Sequence, residues 1–492
     1  MDSQKITMRE KIGYSLGDGA ANLIFQMMMM FQLFFYTDVF GIKATAAGAI
    51  LLFARLFDAF VDPVVGILSD RTNTKWGKYR PWLLWTAIPF AVFFILAFTT
   101  PDLSERGRIL YAGITYTLLM SVYSFNNTPY SSLGGVMTSD IKERTSITSI
   151  RFVTATIATF IVQGLTLPLV AKFGNGQAND SKGWFYTIIL FAVVGVILLV
   201  ITFFSTKERI VPPQKQKTPI KQDIKDIFGS RPWKAMFVLT IFLFTTLAMF
   251  GSSMSYYFNY VVDKQALFDF LKRFSLVSTD GAATGFWALF LDSFGLLAKP
   301  DLSNVFAVGY SLFNMIGQIV TLLGVILLAQ FLSNKFGKRN VFIICLAGTA
   351  VSTALFYFVA PTNIAGIFVI NIIKNACYAP TIPLLWAMMA DTADFSEWVH
   401  HRRATGFVFA GVVFALKAGL GIGGAICGGI IDSFGFVPNA VQSASASQGI
   451  VLTTSIIPAC TFFVGVIALC FYPITKKFNE KMQTELAERR HE

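Results

Sequence analysis

Residues 44–69 read ATAAGAILLFARLFDAFVDPVVGILS, an apolar run that contains one arginine and two aspartates. At about 1.5 Å of rise per helical residue, a run of this length can cross the ~30 Å hydrocarbon core of a bilayer. A charge at the bilayer centre costs about 2.5 to 3.5 kcal/mol on insertion scales. The run therefore predicts a membrane helix in which Arg55, Asp58 and Asp62 face a partner or a polar cavity.

Similar runs recur along the whole chain. Its 492 residues are 54% hydrophobic and 14% charged, whereas a soluble domain has about 25% charged residues. We predict an all-α membrane protein with twelve transmembrane helices, at about 10–37, 44–69, 81–100, 108–133, 146–172, 184–205, 233–262, 304–333, 339–360, 363–392, 403–432 and 450–474. Since no sizeable soluble segment accompanies these helices, we do not expect an enzyme, and no residue cluster predicts a cofactor.

The basic residues lie in alternate loops. Lys and Arg cluster after the second, fourth, sixth, eighth and tenth predicted helices, and the loops after the ninth and eleventh contain none. The positive-inside rule then places both termini and these basic loops in the cytoplasm. The net charge of +12 therefore indicates membrane topology rather than a nucleic-acid partner. We expect a multi-pass plasma-membrane protein that contacts lipid and works as a monomer.

A basic loop with three prolines divides the predicted helices six and six. We expect an N-terminal half (1–205), a cytoplasmic central loop (206–232), a C-terminal half (233–474) and a cytoplasmic tail (475–492). A weak repeat supports the division, because LSDRTNTKWGKYRPW (68–82) follows the second helix and LSNKFGKRNVF (332–342) follows the eighth. Repeated six-helix halves are typical of alternating-access transporters, whose substrate site lies between the halves.

One segment breaks this symmetry. Residues 263–303, between the seventh and eighth predicted helices, carry apolar side chains at helical intervals interrupted by Lys and Asp. Two short amphipathic helices on the extracytoplasmic rim fit this pattern. Either a lid over the substrate entrance or a structural, lipid-facing plate would account for them.

The acidic pair suits a small coupling cation. Asp58 and Asp62 are one helical turn apart, and Arg55 precedes Asp58 by a turn, so all three share a helix face. Desolvation and mutual repulsion of two carboxylates favour binding of a proton or Na⁺, which neutralises them. The alternative is a structural ion pair between Arg55 and one aspartate.

Other polar residues in the predicted spans suit a sugar, which needs hydrogen-bonding partners and an aromatic plate. They are Asp18, Asn22, Tyr123, Ser124, Asn126, Asn127, Arg151, Lys374, Asn375, Trp386 and Lys417. Interhelical hydrogen bonds are the alternative role for each amide. At the cytoplasmic helix ends, gating ion pairs are expected of Asp70, Asp140, Asp391, Asp394 and Glu397 with Arg71, Arg144 and Arg403. Arg55 could also belong to this inner gate.

Several motifs together resemble the glycoside-pentoside-hexuronide:cation symporters, a family of the major facilitator superfamily that includes melibiose permease. They are ARLFDAFVDP with GILSDRTNTKWGKYRPW, then GYSLGDGAANL (13–23), YSFNNTPYSSL (123–133), SIRF (149–152), MADTADFSEW (389–398) and ALKAG (415–419). The resemblance implies that Asp58 and Asp62 bind the coupling cation, with Ser124 and Lys417 nearby. It also implies a sugar site at Asn22, Tyr123, Asn127, Arg151 and Trp386, in a bacterial inner-membrane symporter.

Two departures from melibiose permease affect the substrate and the ion. Aspartates stand there at the positions of Asn22 and Asn127, so a galactoside specificity does not carry over. With Arg151, Lys374 and Lys417 unopposed, a sugar acid becomes a candidate beside neutral sugars. An amide stands there at the position of Val61, which has no ligand oxygen, so H⁺ is favoured over Na⁺ at Asp58 and Asp62. A lysophospholipid or other amphiphile:cation symporter of the same fold is the alternative function.

Overall fold

The computed structural model describes residues 6–138, 140–210, 228–278, 286–400 and 405–491. Passage 1 runs Met8–Met30 and continues, after a bend of 53°, as Gln32–Val39. Passages 2 to 6 are Ala44–Arg71, Arg80–Ala97, Glu105–Met137, Ile141–Phe173 and Ser181–Ser205. Passages 7 to 12 are Arg231–Val261, Val305–Phe336, Lys338–Phe358, Ile364–Tyr378 with Thr381–His400, Thr405–Ser433, and Ala444–Cys470.

The all-helical fold is confirmed. Within the described ranges, nine helices are long and apolar enough to cross a membrane, or ten if the bent pair of passage 1 counts as one. Passages 2 and 4 are 28 and 33 residues long and pack side by side in the same bundle. This arrangement is consistent with the twelve predicted transmembrane helices.

Several helices extend beyond the predicted spans. Passage 10 continues to His400, where the prediction ended at 392, and passage 12 begins at Ala444 rather than 450. The apolar runs end where the bilayer ends, but backbone hydrogen bonding continues into the polar residues beyond it. Side chains also cap these extensions, as when Ser443 accepts the Ala446 N–H at 3.1 Å.

Contacts define two ends of the bundle. At one end, which we call the terminal face, Glu10 pairs with Arg209 at 2.6 Å and Lys11 pairs with Glu143 at 2.9 Å. The opposite end, the far face, carries the loops that follow the odd-numbered passages. Passage 2 packs along passage 11, and passage 5 along passage 8, so these helices join the first six passages to the last six.

The insertion forms two short helices at the far face. They are Lys264–Arg273 and Phe286–Ser293, and residues 279–285 between them lie outside the described part of the chain. The Lys172 ammonium of passage 5 donates to the Asp292 carbonyl at 2.5 Å. The insertion, which belongs to the second half, therefore contacts the first half directly. Phe286 and Trp287 stay 74% and 71% exposed on its outer side.

The predicted tail contains a helix, Lys476–His491, that packs on the terminal end of passage 10. Met482 and Leu486 on this helix are buried. The Trp398 indole N–H donates to the Glu485 carboxylate at 2.6 Å. Phe478, Met482 and Leu486 recur every four residues in an otherwise charged segment, which was the available signal, and burial against passage 10 stabilises the helix.

Candidate functional site

Four side chains meet between passages 2, 4 and 11. The Lys417 ammonium lies 2.6 Å from one Asp58 carboxylate oxygen and 2.5 Å from one Asp62 oxygen. The Ser124 hydroxyl lies against the other oxygen of each aspartate, at 2.7 Å from Asp62. Thr128, one turn further along passage 4, adds a weaker contact to Asp62 at 3.3 Å. The structure thus brings together the four residues expected around the cation.

The charges of this cluster do not balance. Two carboxylates face one ammonium, so the cluster carries a net charge of −1 when both aspartates are ionised. Asp58 is fully buried and the Asp62 side chain keeps 25% of its exposure. One further monovalent cation would neutralise the cluster, and Asp62 is the carboxylate that it can reach.

Arg55 does not supply the counter-charge. Its guanidinium lies over the Phe25 ring, 5.2 Å from the centroid, in a small cavity that Tyr116 also lines. Its β-carbon faces Gly421 of passage 11. The alternative of a structural Arg55–aspartate pair is therefore replaced by the Lys417 pairing, and Arg55 lies at the junction of the halves near their middle.

A second polar group lies in the first half. Arg151 pairs with Asp18 at 3.1 Å, and its guanidinium lies 5.6 Å from the centroid of the Tyr130 ring. Tyr130 is stacked on Tyr14, with ring centroids 4.7 Å apart. The Asn22 amide donates to the Asp18 backbone carbonyl at 2.9 Å, so it lies beside this pair.

The expectation that three cations are unopposed is wrong for two of them. Arg151 pairs with Asp18, and Lys417 pairs with both Asp58 and Asp62. Sequence spacing could not show this, because each pair joins helices that are more than 100 residues apart. Lys374 differs, since its ammonium lies 3.7 Å from the centroid of the Phe250 ring and has no carboxylate partner among the described residues.

The other expected sugar ligands are more scattered. Tyr123 packs between the Phe25 and Phe90 rings, and Asn127 beside it is half-buried. Trp386, in the second half of the bundle, is 39% exposed. Among the neighbouring amides, Asn126 donates to Thr86 at 2.7 Å and Asn375 donates to Asn371 at 2.7 Å. Asn126 therefore has the interhelical role that was the alternative, and so does Asn375, which also accepts from Thr321 of passage 8 at 3.3 Å.

The terminal face differs from the expected set of gating pairs. Within the second half, the Lys338 ammonium donates to both carboxylate oxygens of Asp391 at 2.7 Å. Arg144 donates to the Thr138 and Gly135 carbonyls at 2.8 and 3.0 Å, which caps passage 4, and it has no carboxylate partner within the described ranges. Arginines serve equally well as helix caps and as ion-pair partners, so their position in the sequence does not separate the two roles.

Two further gating candidates, Asp70 and Asp394, accept hydrogen bonds from described residues. Tyr79 donates to Asp70 at 2.8 Å, and burial together with this carboxylate raises the pKa of the Tyr79 phenol. Asp394 accepts from Gln483 of the tail helix at 2.9 Å. Arg71 is exposed, and Arg403 lies outside the described residues.

Comparison with known proteins decides the family. The sequence profile described as MFS/sugar transport protein matches residues 13–299 and 301–476, nearly the whole of both halves. The chain belongs to this MFS/sugar transport family. It is a membrane transporter and not an enzyme, and its resemblance to the glycoside-pentoside-hexuronide:cation symporters is confirmed.

Relatives of this sugar transporter align over almost their full length. The chain is 34% identical over 490 residues to the inner membrane symporter YicJ of Escherichia coli K12, with 99% of this chain and 96% of that one covered. It is 32% identical over 482 residues to the isoprimeverose transporter of Lactiplantibacillus pentosus, with 98% and 91% covered. The crystal structure of a D-xylose-proton symporter superposes with a TM-score of 0.59 at 15% identity, covering 95% and 96%, which shows the shared fold.

A polar network at the far face of the transporter was not predicted from the sequence. Asp38 is buried and accepts from the hydroxyls of Thr37 and Tyr260. Thr37 also contacts the Tyr256 hydroxyl at 2.7 Å, and the Asn439 amide donates to the Asp38 carbonyl at 2.7 Å. These contacts join passages 1 and 7 and the loop before passage 12, so they hold the two halves together at this end. An aspartate directly after the first predicted span, between the apolar residues of FFYTDVF (34–40), was the signal that could have indicated them.

Proposed function

We propose that this protein is a proton-coupled sugar symporter that works by alternating access in a bacterial inner membrane, with its terminal face in the cytoplasm. The observation that carries the proposal is the Asp58–Asp62–Lys417 cluster. It joins a helix of the first half to a helix of the second half, so binding of a cation there changes an interaction between the parts that must move. Basic loops on the terminal face support the orientation.

The coupling step follows from the charges. With both aspartates ionised, Lys417 attracts them equally and holds passage 11 against passage 2. Protonation of the half-exposed Asp62 removes one of the two attractions, which weakens the contact between the halves. Since a ligand shifts a conformational equilibrium only by its differential affinity, the proton and the sugar must favour the same arrangement.

A proton fits the cluster better than Na⁺ does. The Lys417 ammonium lies within 2.6 Å of both carboxylates, in the space that a shared metal ion would occupy. Hard cations take several oxygen ligands, and Val61 beside the aspartates has none. Na⁺ stays the second candidate, because the oxygens of Ser124 and Thr128 flank Asp62.

The sugar is proposed to bind at the Asp18–Arg151 pair. A carboxylate that accepts and a guanidinium that donates can together engage neighbouring sugar hydroxyls, and the half-buried Tyr123 supplies aromatic surface. Because Arg151 and Lys417 are already paired, a neutral glycoside or pentoside is favoured over a sugar acid. An amphiphile carrier would need an apolar cavity, whereas this region holds two sets of buried ion pairs.

Uptake by proteoliposomes tests the function. Neutral glycosides, pentosides and uronides are offered in turn, with the proton gradient and the sodium gradient imposed separately. We expect accumulation of a neutral sugar driven by the proton gradient alone. Accumulation that needs Na⁺ would overturn the ion assignment, and uptake of lysophospholipid without any sugar uptake would overturn the substrate assignment.

Asp58→Asn and Asp62→Asn test the coupling site. Each removes one negative charge from the cluster, so we expect gradient-driven accumulation to be abolished while sugar binding or exchange persists. Asp102→Asn in an exposed loop is the matched control and should accumulate sugar normally. Undiminished accumulation in both cluster variants would contradict the proposal.

A further inference from the structure

The far face contains a cavity of about 660 Å³ that the central site does not include. We call it the far vestibule. Its lining includes Phe34, Gln177, Asn179, Tyr260, Lys264 and Asn439. A volume of this size falls within the ~300–1,000 Å³ typical of ligand sites. The far vestibule lies between the Asp38 network and the solvent at the far face.

The lining suits a neutral, polyhydroxylated ligand. Five of the lining side chains are amides, Gln177, Asn179, Asn259, Asn439 and Gln442. Gln442 and Asn439 already bond to groups of the protein, so Gln177, Asn259 and the Asn179 oxygen are the ones offered to a ligand. An amide both donates and accepts, as a sugar hydroxyl does, so the two match without a net charge. Tyr260, which is half-buried, provides aromatic surface for the face of a sugar ring.

The charges of the lining cancel. Lys264 and Asp301 are its charged side chains. The Ser303 backbone N–H and hydroxyl donate to Asp301 at 3.0 and 2.7 Å and hold the pKa of this carboxyl below its usual range. Asp301 and Lys264 therefore contribute opposite charges to the lining, which gives it no net preference for an acidic or a basic ligand.

Both halves of the transporter build the vestibule, and the insertion contributes to its wall. Asn179 of the first half donates to Asn439 of the second half at 2.7 Å across it. Lys264 begins the first insertion helix, and Asp301 lies on the segment that returns from the second. Asn439 adopts a left-handed backbone conformation (φ 57°), which presents its N–H to the Tyr260 hydroxyl at 2.9 Å. Opening of the far face would separate Asn179 from Asn439 and dismantle the cavity.

We propose that the far vestibule is a second sugar site, which binds a neutral di- or oligosaccharide and holds the far face closed. This rests on the proposed function in one respect, that the far face is extracytoplasmic and meets the sugar first. A ligand that binds only the closed arrangement favours it by a factor of 1 + [L]/Kd, about elevenfold at ten times Kd. External sugar at high concentration then inhibits its own uptake, because the far face must open to admit it.

Binding to the purified full chain tests the site. Arg151→Ala disables the central sugar site, and binding of xylobiose and of sucrose is followed by saturation-transfer NMR. We expect the signal to persist in Arg151→Ala and to be lost when Gln177→Leu and Lys264→Met are added. Both vestibule residues are exposed, and the Asn179–Asn439 and Asn439–Asp38 contacts between the halves do not involve them, so the fold should tolerate their replacement. Gln265→Leu, next to Lys264 but outside the lining, is the matched control and should keep the signal.

Uptake kinetics supply the second readout. In the native chain, the initial rate should fall about tenfold from its maximum when external sugar reaches ten times the vestibule Kd. The double variant Gln177→Leu with Lys264→Met should restore simple saturation. Its KM should equal the one fitted to the rising, low-concentration part of the native uptake curve. Loss of the NMR signal in Arg151→Ala alone, or its persistence in the vestibule variant, would overturn the second site. Failure of the proposed function would appear differently, as absence of sugar uptake by the native chain while vestibule binding remains.

Discussion

At the scale of single residues, Ser124 occupies a special position. Its hydroxyl carries one hydrogen, yet it lies against oxygens of both Asp58 and Asp62. One hydroxyl cannot donate fully to two ionised carboxylates, but it can donate to one and accept from the other when that one is protonated. The local geometry therefore favours the state in which the pair holds one proton.

Replacement of Ser124 tests this reading. Hydrogen bonds to charged groups contribute about 1.5 to 3 kcal/mol, so Ser124→Ala should lower proton-driven uptake by about tenfold or more. The measurement is initial uptake against external proton concentration. Ser121→Ala is the control, because Ser121 lies on the same helix and donates only to the Thr117 carbonyl at 2.9 Å. Equal uptake by both variants would remove Ser124 from the coupling site.

We expect Lys374 to determine whether sugar acids are also substrates. A cation without a carboxylate partner is costly within the membrane and is stabilised when an anionic ligand arrives. Lys374→Gln should therefore reduce any uronide uptake about tenfold or more and leave neutral sugar uptake unchanged. Competition between the two substrate classes in proteoliposomes measures the ratio. If neutral sugar uptake falls equally, Lys374 has a general role in the second half.

At the scale of helices, small residues set how closely the halves approach. Passages 2 and 11 meet through Ala44, Gly48, Gly424 and Gly428, and such residues allow close packing of membrane helices. A β-carbon on Gly428 would lie 2.2 Å from the Ala44 carbonyl oxygen, whereas one on the adjacent Gly429 would meet nothing within 4 Å. Gly428 therefore has no room for a methyl group, whereas Gly429 does.

This difference makes a matched pair of variants. Gly428→Ala forces passages 2 and 11 apart near the far face, so we expect uptake to fall about tenfold, in line with the 1–3 kcal/mol cost of overpacking. Gly429→Ala should transport normally. Uptake at equal amounts of protein in the membrane checks the prediction, and equal loss in both variants would show that helix propensity, not the close contact, is responsible.

At the scale of the whole molecule, hydrogen bonds between the halves close the far face. Tyr260 is central to them, because its hydroxyl donates to Asp38 and accepts the Asn439 N–H. Phe34 lies beneath, fully buried between the Tyr256 and Phe306 rings. A transporter that alternates must break these contacts in each cycle, so their strength sets how often the far face opens.

Tyr260→Phe should shift the molecule toward the far-open state. Loss of buried hydrogen bonds costs about 1–3 kcal/mol, so thiol labelling of Phe34→Cys from the far side should accelerate about fivefold to a hundredfold. The five native cysteines are replaced by serine for this measurement. Tyr357→Phe, at an exposed tyrosine of the far face, is the control. Unchanged labelling would mean that other contacts hold the face closed.

The sequence determined the membrane class and the positions of the helices, and the family resemblance grouped Ser124 and Lys417 with Asp58 and Asp62. Apolar run length, loop charge and the high cost of buried ionisable groups all act locally, so they can be read along one chain. Spacing along the sequence could not determine the pairings, because Lys417 meets Asp58, Arg151 meets Asp18 and Asn439 meets Asp38 from different parts of the chain. Tertiary structure decided these partners, because helix packing determines which oppositely charged or hydrogen-bonding groups come within a few ångströms of each side chain.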